Sequence, residues 1–273
     1  GMLMATFIVS LMTLFSEEDF LSWGWRIPFL LSSVLVLLGL WIRKDIDETP
    51  DFQRVKASGQ VAKAPLRDTL KHHWREVLIA AGLKVVETAP FYIFSTFVVS
   101  YATTTLTYQK SQALEAVTLG ALVATIMIPL MGLLSDKVGR QRMYTISVFV
   151  LGLFIVPWFM LLNTGTTWGI VLATVIAFGV LWAPVTAVLG TLCSEIFSAN
   201  VRYTGITLGY QLGAALAGGT APLIATGLLA KYDGDWVPVA WYLAVTVTIS
   251  LIAIFCASRV KRATLIQAQP ERL

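Results

Sequence analysis

The chain has 273 residues, a formal net charge of +4, 56% hydrophobic residues and only 13% charged ones. Soluble globular domains carry about 25% charged residues, so a soluble enzyme or binding module of this length is excluded: too few charges are available to wet its surface. The positive balance does not point to nucleic acid either, because the basic residues concentrate in particular loops between apolar blocks, as membrane topology requires.

In chain order, eight apolar segments are expected: Met2–Phe15, Ile27–Ile42, Val77–Tyr101, Ala113–Leu134, Met143–Leu162, Trp168–Leu192, Thr204–Ala230 and Val237–Ala257. Most approach or exceed the roughly 20 residues that cross a ~30 Å hydrocarbon core. The first is too short and reads as the second half of a helix. No basic stretch precedes it, so it does not read as a signal peptide. Trp23 and Trp25 extend the second segment into an interfacial aromatic belt. Cys193 and Cys256 lie in separate apolar segments, which predicts two small core residues rather than a disulfide or a metal site.

One connection is long. Residues 43–76 are polar and charged, with Pro50, Gly59 and Pro65 as breakers and a short helix expected over Leu66–Glu76. The chain thus divides into the end of one bundle (1–42), a linker (43–76), a six-helix bundle (77–258) and a tail (259–273). A long linker is expected where two halves of a carrier rock against each other.

Loop charges orient the spans. Sixteen basic residues fall in the even-numbered loops and the tail, among them Arg43, Lys71, Lys137, Arg140, Arg202 and Arg259, against Lys110 and Lys231 in the loops of the other side. This bias predicts a cell (inner) membrane protein with both chain ends cytoplasmic.

The sharpest signal is the run from Gly132 to Arg142, a tight turn between two spans. Gly132 suits the close approach of another helix, and Gly139 a turn that other residues resist. Asp136, Lys137 and Arg140 are spaced to form an ion-pair cluster at the membrane face. The run resembles the cytoplasmic loop signature of the major facilitator superfamily, G-x-x-x-D-R/K-x-G-R-R/K. Gln141 departs from the basic residue usual at its place, and Arg142 supplies that charge one position later. The resemblance implies an all-α, polytopic membrane helix bundle of the major facilitator fold. It also implies that Gly132, Asp136, Lys137, Gly139, Arg140 and Arg142 form a conformational latch in an alternating-access cycle.

In that family the signature occurs between helices 2 and 3 and again between helices 8 and 9. Three segments precede it here, so the resemblance places it at helices 8–9 and the long connection at the family's inter-domain linker. The segments then become helices 5 (partial) to 12 of twelve, and the chain is expected to be a C-terminal fragment whose partner is the missing N-terminal helices. Trp25-Arg26-Ile27-Pro28-Phe29 and Arg202-Tyr203-Thr204-Gly205 resemble the metabolite:proton symporters, the group of shikimate, α-ketoglutarate and proline/betaine carriers. The osmosensing members' C-terminal coiled coil has no counterpart after Arg262, which speaks against that branch. A comparable acid–Arg arrangement closes the cytoplasmic end of helices 10 and 11 in the family, which assigns Glu195 and Arg202 as a gate pair.

Charges inside a membrane are costly and usually functional. Lys84 and Glu87, spaced i,i+3, can pair on one helix face. Either they face a central cavity, Lys84 drawing an anionic substrate or Glu87 taking part in proton coupling, or they neutralise each other near the helix end. Pro90 is expected to bend that helix and free a carbonyl. Tyr92, Trp182, Tyr210 and Gln211 lie well inside their spans and complete the set of substrate candidates. The small residues Gly205, Gly209, Gly213, Ala214, Ala217, Gly218 and Gly219 predict close packing of a helix that slides.

The pattern as a whole points to a secondary active transporter in the lipid bilayer, moving a small polar metabolite, an organic acid by expectation, with protons. Two alternatives stand beside it: a receptor or scaffold that does not transport, and a facilitator without proton coupling. The spans hold no zinc pair, no Walker A and no nucleophile-and-base pair, and His72 and His73 lie in the linker. No catalytic residue, metal, cofactor or nucleic-acid partner is therefore assigned.

Overall fold

A computed structural model describes residues 19–44, 53, 65–198 and 201–267, and every regular element among them is helical. In order these are α1 (Ser22–Lys44), α2 (Pro65–His72), α3 (Trp74–Thr104), α4 (Lys110–Val138), α5 (Arg140–Leu162), α6 (Thr167–Ser194), α7 (Arg202–Lys231) and α8 (Val237–Gln267). Seven of them, all but α2, are long and apolar enough to cross a membrane. The segment Met2–Phe15 and most of the long connection lie outside the described residues.

The helices outrun the apolar segments that signal them because their ends recruit polar and charged residues, such as Lys110, Arg140, Arg202 and Lys231. The short helix expected over Leu66–Glu76 is corrected: α2 stops at His72 and α3 starts at Trp74. His73 between them has φ −125° and ψ 21°, outside helical geometry.

By contacts the chain divides into two compact units, Gly1–Gly59 and Gln60–Leu273. In the first, α1 is apolar on all sides, with Leu35 and Trp41 exposed. At its start Arg26 donates to the Ser22 carbonyl at 2.8 Å and lies 4.4 Å over the Trp25 ring.

In the second unit α3 occupies the centre and packs most closely on α7 and α8. Small residues make that approach possible. A Cβ at Gly209 would stand 2.5 Å from Ala80 Cβ, and one at Gly213 would stand 2.6 Å from the Ala81 carbonyl oxygen. Without a hydrophobic effect between helices in lipid, such backbone proximity is what holds spans together. Of the glycine run of α7, Gly209, Gly213 and Gly218 thus pack on α3, whereas Gly219 is exposed.

Three spans depart from α geometry at mid-length. A π-helical turn covers Ile93–Phe97 in α3, Val175–Leu181 in α6 and Ala214–Gly218 in α7. Such turns are rare and concentrate at functional sites, and these three helices are the ones that meet around Lys84. The Tyr108 phenol, whose ionisation burial pushes upward, donates to the Leu162 carbonyl at 2.9 Å and ties the 105–109 loop to the end of α5.

Candidate functional site

Lys84 and Glu87 stand ten and thirteen residues from Trp74, about 15 Å and 20 Å along α3 at 1.5 Å per residue. α3 has 31 residues, so the pair lies about a third to two-fifths of the way along it. They form an ion pair, with side chains 17% and 13% exposed. Both oxygens of the carboxylate are satisfied. Thr88 Oγ1 lies 3.0 Å from Oε2, and Thr186 Oγ1 on α6 lies 3.3 Å from Oε1. A carboxylate is an acceptor only, and a shielded charge persists only when paired and hydrogen-bonded. On its other side the Lys84 ammonium sits 4.8 Å over the Tyr210 ring, a cation–π contact.

The backbone joins the cluster. Pro90 has no N–H to give the α3 ladder, and in this stretch the Glu87 carbonyl accepts the Trp182 indole N–H at 2.6 Å. The carbonyl that Pro90 leaves without a donor is that of Val86, one residue before the one that Trp182 meets. Phe91, Phe178 and Trp182 pack edge-on or tilted against one another, with ring centroids 5.2 to 5.6 Å apart, and form an apolar wall beside the pair. Behind α3, Tyr144 donates to the Leu83 carbonyl at 2.6 Å, while the Ser250 hydroxyl donates to the Gly82 carbonyl at 2.6 Å and accepts the Val86 N–H at 3.1 Å. Buried Cys193 lies beside the Tyr210 hydroxyl. Cys256, in contrast, is exposed, which corrects the expectation that both cysteines are core residues: it falls on the outer face of α8.

Of the substrate candidates, Lys84, Glu87, Trp182 and Tyr210 come together. Tyr92 and Gln211 do not. Tyr92 is 37% exposed and packs edge-on against Phe91, and Gln211 is exposed. Gln211 lies two residues from Gly209, about 200° round the helix from the face that meets α3. Thr88, Thr186, Tyr144 and Ser250 escaped the sequence reading. Thr186, one turn beyond Trp182 on the same face, was detectable; Tyr144 and Ser250 are brought to α3 from distant parts of the chain and left no sequence signal.

The second cluster lies where α4 meets α5. Gly139 turns the chain with φ +97°, and Arg140 then reaches both Asp136 at 3.2 Å and Glu195 at 2.8 Å. Glu195 therefore ties the end of α6 to the loop signature, while Arg202 Nε donates to the Phe197 carbonyl at 3.4 Å. Gln141 hydrogen-bonds Ser258 of α8. Lys137 and Arg142 are exposed, and neither has an acidic partner within 4 Å among the described residues. Lys137 is one residue from Asp136, so it points to a different side of the helix. A Cβ at Gly132 would meet nothing within 4 Å, so no helix of the described residues exploits its smallness. A cleft of about 750 Å³ opens here, lined by Asp136, Arg140, Arg142, Thr145 and Glu195 among others.

The family model described as Major Facilitator Superfamily matches residues 1–218 and again residues 86–272. The chain belongs to that superfamily. It is 32% identical over 266 residues to the shikimate transporter of Escherichia coli, a match covering 96% of this chain and 61% of that protein. It is 30% identical to the glycine betaine/proline/ectoine/pipecolic acid transporter OusA of Dickeya dadantii (90% of this chain, 50% of that protein). It is also 30% identical to the inner membrane metabolite transport protein YhjE of Escherichia coli (92% and 58%). These relatives are transporters by name, not enzymes, and the chain spans between half and about three-fifths of their lengths. No solved structure gives a significant match. Superfamily membership and the seven apolar helices make this a multi-pass membrane protein.

Proposed function

We propose that the chain forms the larger part of a secondary transporter that carries a small organic acid across the inner membrane by alternating access, coupled to protons. In this reading α1 is helix 6 and α3–α8 are helices 7–12 of a twelve-helix carrier. Residues 43–76 are then the linker between its halves, and both chain ends are cytoplasmic. The observation that carries it is the shielded Lys84–Glu87 pair on α3, held against α6 and α7. A buried charge pair is costly in a membrane, and its use is to meet a charged solute or ion. The solutes in the relatives' names support a carboxylate-bearing solute, since shikimate is an organic anion and proline and glycine betaine are zwitterions with a carboxylate. The Asp136–Arg140–Glu195 cluster serves as the latch that one state of the cycle closes and another opens, with Gly132, Lys137, Gly139, Arg142 and Arg202 around it.

The test is uptake of labelled shikimate and proline into vesicles by the carrier with its preceding helices, with and without an inward proton gradient. Gradient-driven accumulation is expected. Uptake indifferent to the gradient would leave a facilitator, and binding without any uptake would leave a receptor. The chain reconstituted alone is expected not to transport, and accumulation by it would overturn the helix assignment.

A further inference from the structure

We propose that Ser250 on α8 is a positioning residue for the ion pair. Its hydroxyl is a spare partner for one backbone turn of α3, so that the turn carrying Lys84 opens and recloses without stranding polar groups. The role is independent of which solute is carried and rests on the alternating-access reading above only for its use in transport.

An unbroken α-helix pairs the carbonyl of residue 82 with the N–H of residue 86. The Ser250 hydroxyl reaches both groups: it donates to the Gly82 carbonyl at 2.6 Å and accepts the Val86 N–H at 3.1 Å. Lys84 lies between these two positions, and Glu87 follows directly after them. Serine and threonine hydroxyls within helices commonly turn back onto a carbonyl of their own helix, and on α8 those of Thr246, Thr248 and Ser258 do so. Ser250 crosses to α3 instead, and it is fully buried. Gly82 makes the crossing possible, since a Cβ there would stand 2.8 Å from Ala253 Cβ on α8.

In lipid a helical turn opens only where its backbone groups find other partners inside the protein, and neighbouring helices and Ser or Thr side chains supply them. The turn is α-helical as it stands, so its own ladder serves Gly82 and Val86 while the hydroxyl is in reserve. Once the turn opens, the hydroxyl can hold both ends. The next carbonyls are provided for in the same way. That of Leu83 accepts from Tyr144 of α5 at 2.6 Å, and that of Lys84 from Thr88 Oγ1 at 3.0 Å. That of Val86 has no ladder donor to lose, because residue 90 is proline. Opening would move Lys84 against the Tyr210 ring of α7 and Glu87 against Thr186 of α6, the contacts that now hold the pair. Every one of these groups lies in the Gln60–Leu273 unit.

The test is amide hydrogen exchange of the full chain in lipid nanodiscs, read over residues 82–87. In the wild type these residues should exchange faster than residues 147–155 in the middle of α5. Ser250→Ala should slow their exchange by about tenfold, because the opened turn has lost its partner. A hydroxyl that merely fastened α8 to α3 would give the opposite sign, faster exchange once it is removed. Ser250→Thr keeps the hydroxyl and should restore the wild-type rate. Tyr144→Phe should slow the same residues by less, and it carries the same test of sign if Ser250→Ala does not fold. Thr248→Ala, which removes a hydroxyl bonded only within α8, should change nothing. In the carrier with its preceding helices, Ser250→Ala should lower the maximal rate of labelled shikimate uptake and leave the half-saturating concentration where it was. Faster or unchanged exchange in Ser250→Ala, no rescue by Ser250→Thr, or a shifted half-saturation at an unchanged maximal rate would each overturn the role. No shikimate uptake by the wild-type carrier would sink the transport reading, whereas the spare partner stands or falls on the exchange rates.

Discussion

The two charge clusters use the same chemistry at different depths, and depth decides what each can do. Lys84 and Glu87 stand inside α3, 17% and 13% exposed, with hydrogen-bond partners facing the carboxylate. Arg140, Asp136 and Glu195 sit at the end of the bundle, 37%, 60% and 31% exposed, and join three elements through one guanidinium. Water and salt screen the second cluster, so its bonds break and reform at little cost, which suits a latch. The first has no such solvent, so its charges must stay compensated in every state.

Perturbing both clusters tests that contrast, and the largest effect should come from Glu87→Ala. It leaves Lys84 without a counter-charge and should lower stability by about 3–5 kcal/mol. Replacing both Lys84 and Glu87 with Met should recover most of the loss. The readout is thermal unfolding of the purified chain in detergent, and equal losses in the single and double variants would refute the shielding argument.

Gly213→Val should cost about 1–3 kcal/mol by the same assay, because its side chain would push α7 off the Ala81 carbonyl and Lys84. The variant should also loosen the Lys84–Tyr210 contact, seen as altered quenching of Tyr and Trp emission. Trp182→Phe keeps the aromatic wall but removes the indole donor to the Glu87 carbonyl, and a loss of about 1 kcal/mol is expected. At the other cluster, Arg140→Gln should cost no more than about 1 kcal/mol, with the difference from wild type shrinking as salt rises. An Arg140→Gln effect as large as Glu87→Ala would erase the distinction between the clusters. Smallest of all, Gly132→Ala should gain up to about 1 kcal/mol of helix stability, since its Cβ meets nothing in the described chain. A loss there would mean that Gly132 is pressed by a helix outside the described residues.

Hydropathy alone located every span among the described residues, because length and apolar content are what a bilayer selects and both are written locally. The Gly139 turn and the Asp136–Arg140 pair were likewise legible, being five residues of one loop. So was the Lys84–Glu87 pair, being one helical turn. What the sequence could not show is who closes each cluster. Glu195 joins Arg140 across 55 residues, Thr186 and Trp182 reach Glu87 across nearly a hundred, and Ser250 reaches Gly82 across 168. No local spacing encodes such meetings; they follow from how the helices pack, as where glycines let α7 lie against α3. Composition and periodicity thus determined that this chain crosses a membrane and where its charges are. Packing alone decided which of those charges stay shielded, because burial is a property of neighbours and not of any residue's own place in the chain.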